Sequence, residues 1–396
     1  VSASSGRQPA RRHIVAVFAS NPSSTSNACR RQHPEGTLLA GDMKQFHNLI
    51  VSARAPAAKD AVRIALEVPE DLRDEYQFLP GQHLPIQIKR DGKKLRRTYS
   101  ICSPAGCWPL EIGVRVQPGG AFGAFVANEL AVGDTLAVMP PAGRFHLSPE
   151  PADGRFHIGF AAGSGITPIL SIAASLLEQE PQSRFALFYG NRKQDTTMFI
   201  DDLYALKNRF PERLQLHFVF SQEDQEFEIS FGRIDEGKVA DLYEHFCSGD
   251  SVDEAWVCGP DSMIDAVTGA LVGLGLDEDA VHSERFGAPR GKRSEPQVTA
   301  SDDLVRVTVV MDGHRKSFEM PRSGTNIVDG AAEEGLDLPH SCKGGVCATC
   351  RCYLREGEVE MAVNHGLEAW EVENGFVLAC QSTPLTPEIL LDYDKS

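Results

Sequence analysis

Short apolar runs alternate with Gly, Pro and Asp turns from Met43 to about Leu147, in AVRIALEVP, HLPIQIKR, EIGVRV and DTLAVMPP. Runs of that length with regular turn spacing predict an antiparallel β-barrel, with one short helix over 123–129. From about Arg155 to Phe286 the texture changes. Apolar strands now lead into amphipathic helices: FHIGFAAG into ILSIAASLLEQE, FALFYG into MFIDDLYALKNRF, then LQLHFVF, and AWVCG into SMIDAVTGALVGLG. Strand and helix in alternation predict a parallel sheet with helices on both faces. The stretch GAPRGKRSEPQVTASDD has no hydrophobic period and reads as a linker. Two strand-like runs, LVRVTVVMDG and RKSFEMP, then open a last block, followed by a predicted helix from Ile327. The predicted units are 43–148, 149–287 and 304–396, with the linker at 288–303, so the fold class is multidomain: antiparallel β-barrel, α/β parallel sheet, and a small α+β domain.

Length agrees with that division, because 396 residues suffice for two to four domains with sizeable cores. No run of about 18 apolar residues is present to span a bilayer, which argues against a membrane protein. Against 55 acidic residues stand 39 Lys and Arg, a formal charge of -16, which disfavours nucleic acid as a partner. Ten cysteines in a chain this long are too sparse for a disulfide scaffold. They point to metal or redox chemistry in a reducing, cytoplasmic setting. Residues 1–42 differ from the rest: they carry Arg7, Arg11, Arg12, Arg30 and Arg31, many Ser and Pro, and only Glu35 and Asp42 as acids. Such a composition buries little, and reads as a disordered or over-extended leader to the first strand.

The strongest chemical signal lies in the last block. Cys342, Cys347 and Cys350 follow the spacing C-x4-C-x2-C in SCKGGVCATC, with Cys380 further on in LACQ. This is the ligand spacing of a plant-type 2Fe-2S ferredoxin. Gly344, Gly345, Ala348 and Thr349 leave room for backbone amides to approach the sulfur atoms. A structural zinc site is the competing reading, although zinc modules commonly show two short C-x2-C pairs. Cys352 reads as a non-ligating thiol.

In the middle block an apolar strand runs into Gly163-Ser164-Gly165-Ile166-Thr167-Pro168 and then a helix. Thr167 is suited to cap that helix and Pro168 to its first turn, leaving free amides for a pyrophosphate. Pro168 stands where the dinucleotide fingerprint would have its third Gly. Cys258-Gly259-Pro260, between a strand and a helix, marks a second place where such sheets bind ligands. A buried core thiol is the plain alternative for Cys258. In the first block Arg97-Thr98-Tyr99-Ser100 sets a cation and a ring on one strand face and two hydroxyls on the other. A flavin asks for those groups: charge for its phosphates, a surface for its ring, and a hydrogen bond near its redox nitrogen. Gly119 and Gly120 lead into the predicted short helix, whose N-terminus could hold the flavin phosphate.

Taken in order, RRTYSIC, AAGSGITPIL, FYGNR, CGP, HSERF and CKGGVCATC resemble the ferredoxin-NADP reductase superfamily fused to a C-terminal plant-type ferredoxin. Within it they are most similar to the reductase subunits of phenylacetyl-CoA epoxidases, and less so to reductases of ketosteroid hydroxylases and aromatic dioxygenases. The resemblance implies a flavin-binding barrel, an NAD(P)-binding domain and a β-grasp ferredoxin domain. It further implies that Arg97 pairs with FAD phosphates, Tyr99 stacks on the isoalloxazine and Ser100 bonds near flavin N5. Cys258 and Glu284 would flank the nicotinamide, and Phe286 would cover the flavin until displaced. Gly123 replaces a common Ser, which weakens FAD over FMN. Ser221 fits a 2'-phosphate, whereas Gln222 replaces an Arg of NADP-specific relatives, so NADPH is favoured only narrowly over NADH. Nicotinamide donates a hydride and the cluster takes single electrons, so a flavin between them must split the pair. The implied acceptor is a di-iron oxygenase. Acids crowded from Glu356 to Glu373 suit docking to a basic patch on it. The alternatives are a reductase serving another oxygenase and, in a different class, a non-enzymatic redox or zinc-binding regulator.

Overall fold

A computed structural model of the chain describes residues 46–90, 93–148, 154–286, 304–311, 313–340, 342–364, 366–367 and 369–395. The leader at 1–42 and the linker at 288–303 lie outside them.

The first block forms β1 (His47–Ala58), β2 (Ala61–Glu67), β3 (His83–Arg90), β4 (Lys93–Ser100), β5 (Leu110–Arg115), helix α1 (Ala121–Asn128) and β6 (Thr135–Val138). All pairings are antiparallel in the order β4-β3-β6-β1-β2-β5, and a bridge from Ile101 to Ile112 joins the two outer strands into a barrel. Alternating residues such as Ile64, Leu66, Leu84, Ile86, Ile112 and Val114 fill its interior. Helix α1 begins two residues earlier than the pattern predicts, because Gly120 takes the N-cap position.

The middle block forms β7 (Phe156–Ala162), α2 (Ile166–Gln179), β8 (Arg184–Asn191), α3 (Ile200–Arg209), β9 (Leu214–Phe220), α4 (Glu236–Phe246), β10 (Glu254–Gly259), α5 (Asp261–Gly273) and β11 (Val281–Arg285). The strands are parallel, in the order β11-β10-β7-β8-β9. Successive residues of β8 serve opposite faces: Phe185, Leu187 and Tyr189 meet α2 and α3, while Ala186 and Phe188 meet α4 and α5. From β7 the chain first steps to one side of the sheet, and later returns to β10 on the other. The switch point therefore opens between the C-terminal ends of β7 and β10, where this architecture binds ligands. Helix α4 is not apparent from the apolar pattern. Asp235 caps it, accepting from the Lys238 amide at 3.0 Å. Thr167 does not cap α2. That helix starts at Ile166 with Gly165 as N-cap, and the buried Thr167 hydroxyl donates to the Ser164 carbonyl at 3.0 Å.

The last block forms β12 (Leu304–Met311), β13 (His314–Pro321), α6 (Ile327–Glu333), β14 (Arg351–Glu356), β15 (Val359–Met361), α7 (Ala369–Glu373), β16 (Phe376–Leu378), β17 (Ser382–Pro384) and β18 (Glu388–Asp392). The main sheet runs β13-β12-β18-β14-β16, with β12 and β18 parallel, and α6 lays Ile327, Val328 and Ala331 on its core.

The first two modules share a core. Ala61, Cys102, Phe145 and Leu147 of the barrel pack in one cluster with Ile169, Ile172, Leu176 and Trp256 of the nucleotide module. Among the described residues no helix is long and apolar enough to cross a membrane.

His157 on β7 is fully buried, and its Nδ1 accepts from Trp256 Nε1 at 3.1 Å. Burial pushes its pKa down to about 4. An unfolded His binds its proton near pH ~6.5, so stability is complete above that pH and declines as pH falls toward 4, by up to about 3 kcal/mol. Calorimetry of His157→Gln should show a shallower loss of Tm over that window than the unsubstituted protein; parallel curves would contradict the assignment.

Candidate functional site

Strand alternation sets Arg97 and Tyr99 on one face of β4 and Thr98 and Ser100 on the other. The Tyr99 ring packs on Phe122 of α1 at 4.9 Å, and burial raises its hydroxyl pKa. Arg97 is exposed and donates to the Arg96 carbonyl at 2.7 Å. Gly119 has φ +77° with open space where a Cβ would be, and Gly120 stands at the α1 N-terminus. Arg97, Tyr99 and this turn thus supply a charge, a ring and a helix N-terminus, with the Gly120 amide itself donating to the Gln117 carbonyl at 3.0 Å.

At the switch point Gly163 has φ +55° and faces open space, while a Cβ on Gly165 would collide with the Cys258 carbonyl oxygen. The two glycines answer different demands, the first a left-handed turn beside a ligand space and the second backbone contact with β10. Gly259 is less confined, since its Cβ would meet the movable Met263 Cε at 2.6 Å, and Pro260 is the N-cap of α5. Pro168 is buried in the first turn of α2. Ser221 follows β9, half-buried, with its amide donating to the Asn191 carbonyl at 3.0 Å.

Ser100 and Glu284 meet across two modules. The Ser100 hydroxyl donates to Glu284 Oε2 at 3.3 Å, and both side chains are buried. Cys258 is the register partner of Glu284 in the β10–β11 pair and is fully buried; burial, then the Glu284 charge, pushes its thiol pKa up. It is a neutral thiol, not a nucleophile. Phe286, just past β11, is 45% exposed. The pattern reading did not single out His83. Its Nδ1 lies 3.4 Å from Glu284 Oε1, and it faces Ser100 in the β3–β4 register. Its only signal in the sequence is a histidine in the otherwise apolar strand HLPIQI.

The cysteine loop carries left-handed φ values at Lys343, Gly345 and Ala348. These turns direct amides at sulfur: Gly344 N donates to Cys342 Sγ at 3.2 Å and Cys347 N to the same atom at 3.4 Å. Hydrogen bonding from the Cys347 side chain, opposed by burial and helped by these amides, holds the Cys342 thiol down at about 5. The four sulfurs come as two contacting pairs, Cys342 with Cys347 and Cys350 with Cys380. Two pairs suit two irons. Cys352 points elsewhere: its thiol donates to the Val377 carbonyl at 3.8 Å, and burial pushes its pKa up to about 12.

Where the three modules meet is a cavity of about 180 Å³. His83 and Arg144 of the barrel, Glu284 of the nucleotide module, and Val346, Cys347 and Ala348 of the cysteine loop line it.

Family models match in the same order: an oxidoreductase FAD-binding domain over 48–147, an oxidoreductase NAD-binding domain over 160–269, and a 2Fe-2S iron-sulfur cluster binding domain over 309–385. The chain is 40% identical over 352 residues to a subunit of the 1,2-phenylacetyl-CoA epoxidase of Escherichia coli (strain K12), covering 89% of this chain and 99% of that one. It is 33% identical to the ferredoxin reductase component of 3-ketosteroid-9-alpha-monooxygenase from Rhodococcus rhodochrous, over 87% and 96% of the two chains. The chain belongs to the family of flavin and 2Fe-2S oxygenase reductases. Its fold is also that of phthalate dioxygenase reductase, at TM-score 0.56 and 24% identity over 88% of this chain and 98% of the other. It is an NAD(P)H oxidoreductase that uses FAD and a 2Fe-2S cluster and works with the components of an oxygenase.

The reductase has residues that fit both groups. The paired thiols and sulfur-directed amides are a donor set for the cluster, and buried His83 Nε2, without a partner among the described residues, is left for a ligand in the flavin region. Cys350→Ser should lower bound iron and labile sulfide roughly 10-fold or more, whereas Cys352→Ala should retain both. Equal iron content in the two variants, measured by chemical analysis, would overturn the assignment.

Proposed function

We propose that this reductase takes hydride from NADPH at the junction of Ser100, Cys258 and Glu284 and delivers single electrons to a di-iron oxygenase, a phenylacetyl-CoA epoxidase, in the cytoplasm. The observation that carries the chemistry is the contact of Ser100 with Glu284 at 3.3 Å, across the boundary of the FAD-binding and NAD-binding modules, beside buried Cys258. The choice of acceptor rests on the match along nearly the whole length of the epoxidase relative.

Each residue has a task that follows from its place. Arg97 neutralises the flavin phosphates with the help of Gly119 and Gly120 at the α1 N-terminus, Thr98 lies along the same strand, and Tyr99 packs on the flavin ring. Gly163 and Gly165 admit the nucleotide pyrophosphate to the start of α2, where Thr167 and Pro168 fix the first turn, and Gly259 and Pro260 do the same at α5. Ser221 donates to a 2'-phosphate. Cys258 and Glu284 form the wall against which the nicotinamide lies, and Phe286 moves aside to admit it. Ser100 and Glu284 hold a proton between them next to the redox ring and keep water out. Cys342, Cys347, Cys350 and Cys380 would hold the cluster. When bound, FAD would accept one hydride, two electrons, and the cluster would carry one electron at a time.

The acidic field beside the cluster is smaller than the sequence implies. Glu356, Glu358, Glu360 and Glu373 are exposed, but Glu371 is only 1% exposed and is bound to Arg144 and Arg351. The exposed acids steer a basic partner.

With NADPH, Glu284→Gln should lower kcat for ferricyanide reduction about 10²-fold while KM changes little. An unchanged kcat would remove Glu284 from hydride transfer. Reduction of purified epoxidase oxygenase should be faster with NADPH than with NADH and should slow as ionic strength rises. Preference for NADH, or for a ketosteroid oxygenase, would shift the reading to that nucleotide or that acceptor.

A further inference from the structure

The cysteine loop must come close to the flavin, and something has to hold it there. Arg96 and Arg97 are neighbours on β4 and project to opposite faces. Arg97 lies on the face of Tyr99. Arg96 lies on the face of Ser100, and it reaches into the ferredoxin module. Its Nη2 donates to Asp337 Oδ2 at 2.8 Å, and its Nη1 to the carbonyls of Leu338 at 3.4 Å and His340 at 3.3 Å. Gln87, its cross-strand partner, accepts from Nε at 2.8 Å and fixes the plane of the guanidinium. Lys94 adds a second cation on Asp337 Oδ2 at 2.5 Å. Despite burial, which works the other way, Lys94 and Arg96 hold the Asp337 carboxyl below its ordinary pKa.

A second contact lies at the other end of the loop. Glu371 on α7 is 1% exposed and takes two guanidinium groups on one oxygen, Oε1: Arg351 Nε at 2.7 Å and Arg144 Nη2. Arg351 directly follows Cys350 and belongs to the ferredoxin module itself. Arg144 comes from the barrel, where Gly143 (φ +114°) packs on the His83 ring and turns the chain toward the cavity. The two contacts bracket the loop in sequence. Asp337 to His340 run into Cys342, and Arg351 leaves Cys350.

We propose that Arg96 and Arg144 are positioning residues, a two-point ionic clamp that holds the cysteine loop over the cavity it shares with His83 and Glu284. The clamp rests on the electron-transfer reading above and deepens it. Arg351 already compensates Glu371 within the ferredoxin module, so Arg144 is not needed to fold that module; what it adds is a bond to the neighbouring one. Arg96 likewise bonds the neighbouring module, where its partners are the Asp337 carboxylate and the carbonyls of Leu338 and His340, just before the first cysteine. Electron tunnelling weakens steeply with distance, so loosening the clamp acts on the flavin-to-cluster step. Each NAD(P)H supplies two electrons as a hydride, and the cluster passes them on in two one-electron transfers, so the clamp is used twice per hydride. Salt screens the half-exposed Lys94–Asp337 pair, whereas the buried Glu371 and Arg96 are shielded from it.

The test compares Arg96→Ala, Arg144→Ala, the double variant and Arg144→Lys, each in the full chain loaded with FAD and cluster. Stopped-flow absorbance reads flavin reduction by NADPH and then cluster reduction, and X-ray scattering reads the maximum dimension. In the double variant the ratio of cluster-reduction rate to flavin-reduction rate should fall 10-fold or more, the maximum dimension should grow, and iron content should match the unsubstituted protein. Arg144→Lys should recover part of the ratio that Arg144→Ala loses. An unchanged ratio with an unchanged dimension would overturn the clamp. Should Arg96→Ala misfold the barrel, Arg144→Ala alone decides, because its side chain is 36% exposed. If the unsubstituted protein fails to reduce its flavin with NADPH, the functional reading falls, and scattering still decides the clamp.

Discussion

The apolar core shared by the barrel and the nucleotide module is the constraint on which the site depends. Phe145 packs edge-on against Trp256 at 5.5 Å, and Ala61, Cys102 and Leu147 join the residues of α2 in the same cluster. Apolar contact of this kind is insensitive to salt and leaves little freedom to slide. It brings the end of β4 to the end of β11, and only then can Ser100 meet Glu284, residues far apart in the chain and contributed by different modules.

The ferredoxin module is attached by different physics. Its described contacts with the barrel include the guanidinium and ammonium groups of Lys94, Arg96 and Arg144 on Asp337 and Glu371. Ion pairs are directional, so they fix an orientation, and the half-exposed Lys94–Asp337 pair is screened by salt. A rigid apolar joint for hydride transfer and an ionic joint for electron transfer suit the two steps. Hydride needs donor and acceptor atoms in contact, whereas an electron tolerates a small gap. A module carrying one cluster must also face both an internal donor and an external acceptor, and the exposed Glu356, Glu358 and Glu360 lie on β14, β15 and the turn between them, not among the residues that meet the barrel.

Strand and helix types could be read from periodicity because each module has a core of its own. Period-two runs in the barrel and alternating β and α runs in the middle block reflect burial on one face or two, which is a local property. Helix α4 escaped that reading. Its buried side consists of only Val239 and Leu242, too thin a stripe to stand out among its charges. The start of α2 was misplaced for a related reason: Thr167 has the chemistry of a cap, but the close approach of Gly165 to Cys258 moves the helix start back and leaves the hydroxyl inside the first turn.

What the sequence determined by itself is the chemistry carried by contiguous motifs. The three-cysteine loop, the glycine turn before α2 and the RTYS strand each place their groups within a few residues of one another, so local geometry suffices to bring them together, whereas Cys380 reaches the loop only through the strands between. What only the tertiary structure decided is everything that depends on distant segments meeting. His83 gains meaning from Glu284, Arg96 from Asp337, and Glu371 from Arg144, and each of these pairs joins two modules. No local pattern distinguishes such residues from ordinary surface or strand positions. Their partners are chosen by how the modules pack, and that packing is set by the summed burial of cores, not by any one stretch of chain.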